Sequence, residues 1–352
     1  MPPTRRTTTL RKLGVACAVF VIAMGAAEVL LRLLPVSADG GGALAASSAV
    51  KRAEFSARYA SGKPTLLTRG HVFDAQLGWT PKPGIRDFKG IGTTRVSTNS
   101  SGMRGAAEVA LEPTPGVTRV VCVGDSFTFG NDTPDAKVWT QRLEDKLKDC
   151  EVLNLGVSGY GVDQAALRLE STGLEFAPDV VIWTIFQGDL ERSMHAFTFA
   201  AKPLFRLQDG ELVLGGVPVP GPDDLEVLVA EERVATSRSA LWTWITARLE
   251  TPQEAARLAL NRAIVAREVR RVDEAGARLI IVALGSAKPQ PFRANHLAVL
   301  AWADELGYEA VDIESVWKGL KSHPFQPSGH LTAAANDALA AELALRLKTK
   351  PQ

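Results

Sequence analysis

Ser126 and His330 are the two side chains whose types and surroundings could run acyl-transfer chemistry. Ser126 stands in Val120-Val121-Cys122-Val123-Gly124-Asp125-Ser126-Phe127-Thr128-Phe129-Gly130, a β-branched apolar run that stops at Gly-Asp-Ser. Such a run reads as a buried strand, and a hydroxyl just past its carboxyl end sits where open α/β sheets place their ligands. A serine becomes a nucleophile only with a base to take its proton, donors for the oxyanion, and usually a carboxylate that holds the base's tautomer. His330, in Pro327-Ser328-Gly329-His330-Leu331-Thr332, is the base best placed by the order of elements, although 204 residues separate it from Ser126. His323 is the reserve. The competing reading of Gly124-Asp125-Ser126 is a strand-to-helix turn in which Asp125 or Ser126 only caps backbone groups.

For these residues to meet, the chain between them must bring both to one edge of a sheet. Strand-like runs fall at 117–123, 151–155, 179–186, 278–284 and 309–313, and helical periods at 137–149, 162–175, 253–275, 293–306 and 332–348. Strands separated by helical crossovers give a parallel sheet with helices on both faces, so the expected fold is a three-layer α/β/α domain over 116–352 with a five-stranded parallel sheet. A loop that leaves the fifth strand and enters the last helix then lies on the same edge as Ser126. One insertion, from about 190 to 250, breaks the rhythm and contains a hairpin over 202–214 turning at Asp209-Gly210; leaving the carboxyl end of the third strand, the insertion is placed to overhang Ser126, and the alternative is a passive insertion.

Ahead of this domain come two other segments. Residues 1–12 carry Arg5, Arg6, Arg11 and Lys12 and no acid, and residues 13–27 are uncharged. With Val29, Leu30, Leu31, Leu33 and Leu34, the segment 1–37 is expected to be a cytoplasmic basic tip and a transmembrane signal-anchor helix, which makes the membrane a partner and puts the rest of the chain outside the cytoplasm, on the periplasmic side of the inner membrane in a Gram-negative cell. The alternative is secretion after cleavage at an Ala-x-Ala-like site ending at Ala27 or Ala38. Residues 38–115 then form a spacer, with Asp39 and the run Gly40 to Gly42, and a turn-rich N-terminal extension whose Trp79 tacks it onto the main domain.

The formal charge of +1 gives no electrostatic ground for a nucleic-acid partner. The histidines show no metal spacing, and the three cysteines form no CxxC pair. Cys122 and Cys150 could meet only across neighbouring strands, and a mid-strand cysteine reads as a buried thiol.

Several blocks in order resemble the GDSL/SGNH hydrolase superfamily. Gly124-Asp125-Ser126 is similar to its first block. Leu153-Asn154-Leu155-Gly156-Val157-Ser158-Gly159-Tyr160-Gly161 resembles the second, and Phe186-Gln187-Gly188-Asp189-Leu190 stands at the third. Gly329-His330-Leu331-Thr332-Ala333-Ala334-Ala335-Asn336 resembles the last, and Leu77-Gly78-Trp79 with Asn99-Ser100-Ser101-Gly102-Met103-Arg104 looks like membrane-anchored bacterial members. The resemblance implies a flavodoxin-like SGNH hydrolase fold and a serine esterase. Ser126 would be nucleophile, His330 base, and the backbone N–H groups of Ser126 and Gly159 the oxyanion hole. It implies no metal or organic cofactor. The substrate class it suggests is an ester-bearing small molecule or an acylated, for example acetylated, envelope polysaccharide. α/β-Hydrolases fit poorly, because their elbow needs glycine where this chain has Thr128.

Two positions depart from the superfamily pattern. The oxyanion asparagine of the third block falls on Gly188, with the Gln187 amide beside it as a substitute and Asp189 following. The aspartate ahead of the histidine falls on Ser328 or Pro327, which leaves His330 to be oriented by a backbone carbonyl, by Ser328, or by an acid such as Asp312 or Glu314. These departures support the alternative of a weakened or inactive member that binds or assembles glycans.

Overall fold

The first element of the computed structural model, α1 (Arg5–Leu33), contains the run expected to span a membrane. That expectation is not supported: among the described residues no helix is long and apolar enough to cross one. The uncharged stretch between Lys12 and Glu28 is 15 residues. At about 1.5 Å per residue it extends roughly 22 Å, against a hydrocarbon core of about 30 Å. The structure describes residues 5–33, 48–89, 92–225, 254–285 and 293–348, so the Asp39 to Gly42 spacer and the part of the insertion from 226 to 250 lie outside the described residues. The chain divides into two compact units, Met1–Ala57 with Asp223–Pro252, and Arg58–Pro222 with Gln253–Gln352. Helix α1 belongs to the first, and α2 (Ser48–Ala60) begins in the first and ends in the second.

The second unit opens with an antiparallel pair, β1 (His71–Asp74) and β2 (Gly78–Pro81). There follow β3 (Thr118–Val123), the short α3 (Ser126–Phe129), α4 (Trp139–Lys146), β4 (Cys150–Asn154), α5 (Val162–Arg168), β5 (Val180–Phe186) and α6 (Asp189–Arg192). After a hairpin of β6 (Leu204–Gln208) and β7 (Glu211–Gly215) come α7 (Glu254–Glu274), β8 (Arg278–Leu284), α8 (Arg293–Leu306), β9 (Glu309–Asp312), α9 (Ile313–Trp317) and α10 (Ala333–Lys348).

Strands β3, β4, β5, β8 and β9 form one parallel sheet in the order β4-β3-β5-β8-β9, the five-stranded sheet expected from the alternating pattern. Near-continuous apolar strands buried on both faces require helices on both sides. On one face Val120, Cys122, Ile182, Ile280 and Val282 share a core with Trp139 and Leu143 of α4 and Leu339 and Leu343 of α10. On the other, Val121 meets Gly173, where a wide π turn and a 3-10 turn over 169–176 replace the last part of the helix expected to run to 175. Cys122 lies opposite Asn154 and Cys150 opposite Thr118 in the register of β3 and β4, and both thiols are free.

The hairpin turns at Asp209 and Gly210, both with positive φ as a tight two-residue connection needs. Within the insertion β6 runs against α7, with the Arg267 guanidinium 5.0 Å from the Phe205 ring.

Candidate active site

The end of β3 is shaped by the side chains it can do without. Gly124 has φ +148, and a Cβ there would collide with Thr184 and Thr128. Asp125 then caps α3, its Oδ1 accepting from the Phe127 N–H at 2.9 Å, and Gly130 closes the helix in the left-handed region at φ 82. Ser126 is the first residue of this four-residue helix and is 8% exposed, so it is reachable but largely dry.

The last loop brings His330 to it. His330 Nε2 lies 3.0 Å from Ser126 Oγ, although the two are 204 residues apart in sequence. Gln326 holds the loop, its backbone N–H donating to the His330 carbonyl at 2.7 Å and its side-chain amide to the Leu331 carbonyl at 2.7 Å. Asn336, at the start of α10, accepts from the Trp139 N–H at 3.0 Å and so ties this loop to α4.

The acid is where the sequence reading differs most. His330 Nδ1 stands 2.6 Å from Oδ2 of Asp132, a residue of the loop after α3. Asp312 instead receives His296 at 3.2 Å and the Glu314 N–H at 3.0 Å, while Glu314 is engaged by Arg293, so neither orients His330. Ser328 acts on Asp132 rather than on His330, favouring its ionised carboxylate. Burial pushes the Asp132 carboxyl up, but bonds from Thr93, His330 and Ser328 outweigh it and hold the group below the usual aspartate value. The signal available in the sequence was Gly130-Asn131-Asp132-Thr133-Pro134, a turn-rich string directly behind the candidate nucleophile. Asp132 adopts φ 61 there, a conformation aspartate tolerates better than most residues.

Gly159 sits at φ +83, and a Cβ on it would meet the Phe199 ring at 2.6 Å, so this position requires glycine. Among the described residues neither the Ser126 nor the Gly159 backbone N–H donates to a protein acceptor. Among the described residues of the insertion, Phe199 and Arg192 reach the site. Ser158 Oγ donates to Asn131 Oδ1 at 2.7 Å, which links the Gly159 loop to the loop that carries Asp132.

The third block is built differently from the resemblance. Gly188 caps α6 and offers no side chain, and the Gln187 amide makes no hydrogen bond among the described residues. Asp189 accepts from the Phe186 N–H at 3.0 Å and pairs with Arg192 at 2.5 Å. Burial, then the charge of Asp125, pushes Asp189 well above the usual aspartate value against the pull of Arg192.

The N-terminal extension holds the two loops that bear the site. Trp79 is fully buried; its indole N–H donates to the Ser158 carbonyl at 3.0 Å, and the Tyr160 hydroxyl donates to the Trp79 carbonyl at 2.6 Å. Arg104 donates to the carbonyls of Phe129, Gly130 and Thr133 and pairs with Asp135, and the Thr93 N–H donates to Asp132 Oδ1. A cleft of about 280 Å³ opens beside these loops, lined in part by Gly92, Asn131, Ser158, Phe199, Arg69 and His71. The buried His71 ring is pushed down to about 4 by loss of solvation and is neutral at neutral pH.

No family model matches the sequence, and no curated protein does. Among solved structures the chain is similar to TesA, with 15% identity over 66% of this chain and 98% of that one and a TM-score of 0.41. It is similar to a lipolytic protein of the G-D-S-L family from Desulfitobacterium hafniense, at 13% identity over 65% and 98% with a TM-score of 0.41. It is also similar to a mutant of Axe2, an acetyl-xylooligosaccharide esterase from Geobacillus Stearmophilus, at 14% identity over 68% and 97% with a TM-score of 0.42.

Proposed function

We propose that this chain is a serine acyl hydrolase of the SGNH type that cleaves short acyl esters. The observation that carries the reading is the line of contacts from Ser126 Oγ to His330 Nε2 at 3.0 Å and from His330 Nδ1 to Asp132 Oδ2 at 2.6 Å. In the first step Ser126 Oγ attacks the ester carbonyl carbon while its proton passes to His330 Nε2. The negative charge that moves onto the carbonyl oxygen is met by the N–H groups of Ser126 and Gly159. The tetrahedral intermediate then expels the alcohol oxygen, which takes the proton from Nε2. Water attacks the acyl-serine by the same route in reverse, releasing the carboxylic acid and restoring the hydroxyl. Asp132 stays ionised throughout and holds the Nδ1 proton, so that Nε2 is free to accept.

Acetyl or other short acyl groups on an envelope polysaccharide are the proposed substrates. The support is the confined setting of the nucleophile: Ser126 is 8% exposed and the Phe199 ring bounds the Gly159 side, which suits a small acyl group. The extracytoplasmic location is part of the same proposal. The basic residues Arg5 to Lys12 and the 15 apolar residues after them have the composition and length of a secretory leader. The glycan-binding alternative drew on Gly188 and Ser328; the Asp132 carboxylate 2.6 Å from His330 Nδ1 supports the hydrolase reading over it.

The test is to incubate the protein with a serine-directed phosphonate and short-chain aryl esters beside Ser126→Ala and His330→Ala. Wild type should label once and turn over, with both variants reduced at least a thousandfold. A wild type that neither labels nor exceeds Ser126→Ala sinks the enzyme reading.

A further inference from the structure

Gly188 leaves a hydrolase of this kind one oxyanion donor short, and the residue one helical turn later is an arginine. Gly188 caps α6 in the right-handed helical region at φ −81 and ψ −16, and its carbonyl accepts from the Arg192 N–H at 3.2 Å. Residues four apart share a helix face, so Arg192 and position 188 stand on one face of α6, where a Cβ at 188 would meet the Phe186 ring.

The guanidinium is anchored by one nitrogen. Nη1 donates to Asp125 Oδ2 at 3.0 Å, to the Tyr160 carbonyl at 2.9 Å and to Asp189 Oδ1 at 2.5 Å. Asp125 is the residue before Ser126 and Tyr160 the residue after Gly159, so the group bridges the two backbone amides that would face an oxyanion. Asp125 Oδ2, 3.0 Å from Nη1 and 3.5 Å from Ser126 Oγ, stands between the guanidinium and the nucleophile. Nε and Nη2 make no hydrogen bond among the described residues, and the side chain keeps 22% of its exposure. Phe199, 52% exposed, bounds the same space: its ring fills the Cβ position of Gly159, and its centroid lies 6.0 Å from the Arg192 guanidinium carbon.

Resting on the serine-hydrolase reading above, we propose that Arg192 supplies the third oxyanion donor, presenting a guanidinium N–H where Gly188 has no side chain to offer. Its three bonds at Nη1 are the clamp, and its free nitrogens are the donors. The oxyanion is then held by a charged group as well as by two amides, which compensates for the loss of a neutral side-chain amide.

The experiment measures p-nitrophenyl acetate hydrolysis by the full chain for wild type, Arg192→Lys, Arg192→Ala, and Arg192→Ala combined with Gly188→Asn, with melting temperatures alongside. Asn fits the backbone at 188, and its Cβ would come 2.9 Å from Cε1 of Phe186, so that ring must shift slightly against Phe127. The expected result is a kcat about 100- to 1000-fold lower in Arg192→Ala at nearly unchanged KM. Arg192→Lys should melt like wild type and still lose kcat. Gly188→Asn or added guanidinium ion should return at least tenfold to Arg192→Ala. An Arg192→Ala kcat within threefold of wild type overturns the proposal, as does a loss that neither rescue reduces, since a clamp alone would behave that way. Wild type that does not exceed Ser126→Ala removes the hydrolase reading and this proposal together, whereas turnover without an Arg192 effect removes only the proposal.

Discussion

Replacing Asp132 by Asn tests whether the acid of the site comes from the loop behind the serine. The carboxylate uses both oxygens: Oδ1 receives the Thr93 N–H, and Oδ2 receives His330 Nδ1 at 2.6 Å. Asparagine has one acceptor oxygen and a donor NH₂, so one of these two donors must face another donor. The side chain is 4% exposed, and no bulk water relieves the mismatch. If the amide nitrogen turns to His330, the ring must place its proton on Nε2 and can no longer accept from Ser126. If it turns to Thr93, the Thr93 N–H faces another donor and the negative charge that stabilises the imidazolium is still gone. Loss of the charge and the tautomer together is expected to lower kcat by about 10³ to 10⁴, or roughly 4 to 5.5 kcal/mol in barrier. The assay is steady-state hydrolysis of a short aryl ester, with Asp312→Asn as the control that stays within about threefold of wild type. An Asp132→Asn enzyme retaining a tenth of wild-type kcat, or an equal loss in Asp312→Asn, would refute the assignment.

Trp79→Ala should lower unfolding stability by about 3 to 5 kcal/mol in urea titration, because it empties a fully buried indole site and strips the Ser158 carbonyl of its donor. A loss under 1 kcal/mol would mean that the extension does not brace the Gly159 loop. Glu268, held protonated by burial and by Glu170 with its value pushed up to about 9, gives a pH prediction. Between about pH 5 and 9 the unfolded chain has released this proton and the native state keeps it, so stability should fall as pH rises across that window. The slope is at most about 1.4 kcal/mol per pH unit. Glu268→Gln carries no proton to lose, and its stability curve should be flatter there; an unchanged slope would contradict the origin given.

Much of the scaffold was legible because its signals are local. Each strand announced itself as a short apolar run and each crossover as a helical period. The helix expected at 293–306 spans Arg293–Leu306, and the turn at Asp209-Gly210 appears with the backbone its residues favour. The left-handed backbone of Gly159 follows the same logic, since no other residue sits there cheaply. The membrane-spanning helix read from 1–37 is not supported: among the described residues no helix is long and apolar enough to cross a bilayer.

What the sequence by itself determined is the parallel α/β scaffold and the chain order that carries Ser126 and His330 to the carboxyl edge of one sheet, because periodicity and crossover handedness depend on residues near one another. Only the tertiary structure decided which carboxylate stands behind His330, where the Arg192 guanidinium is anchored, and what Trp79 and Arg104 hold. Asp132 lies 198 residues from His330, and Trp79 lies 79 from Ser158. Contacts at such separations depend on how loops close over a finished sheet, and no pattern of neighbouring residues records that closure.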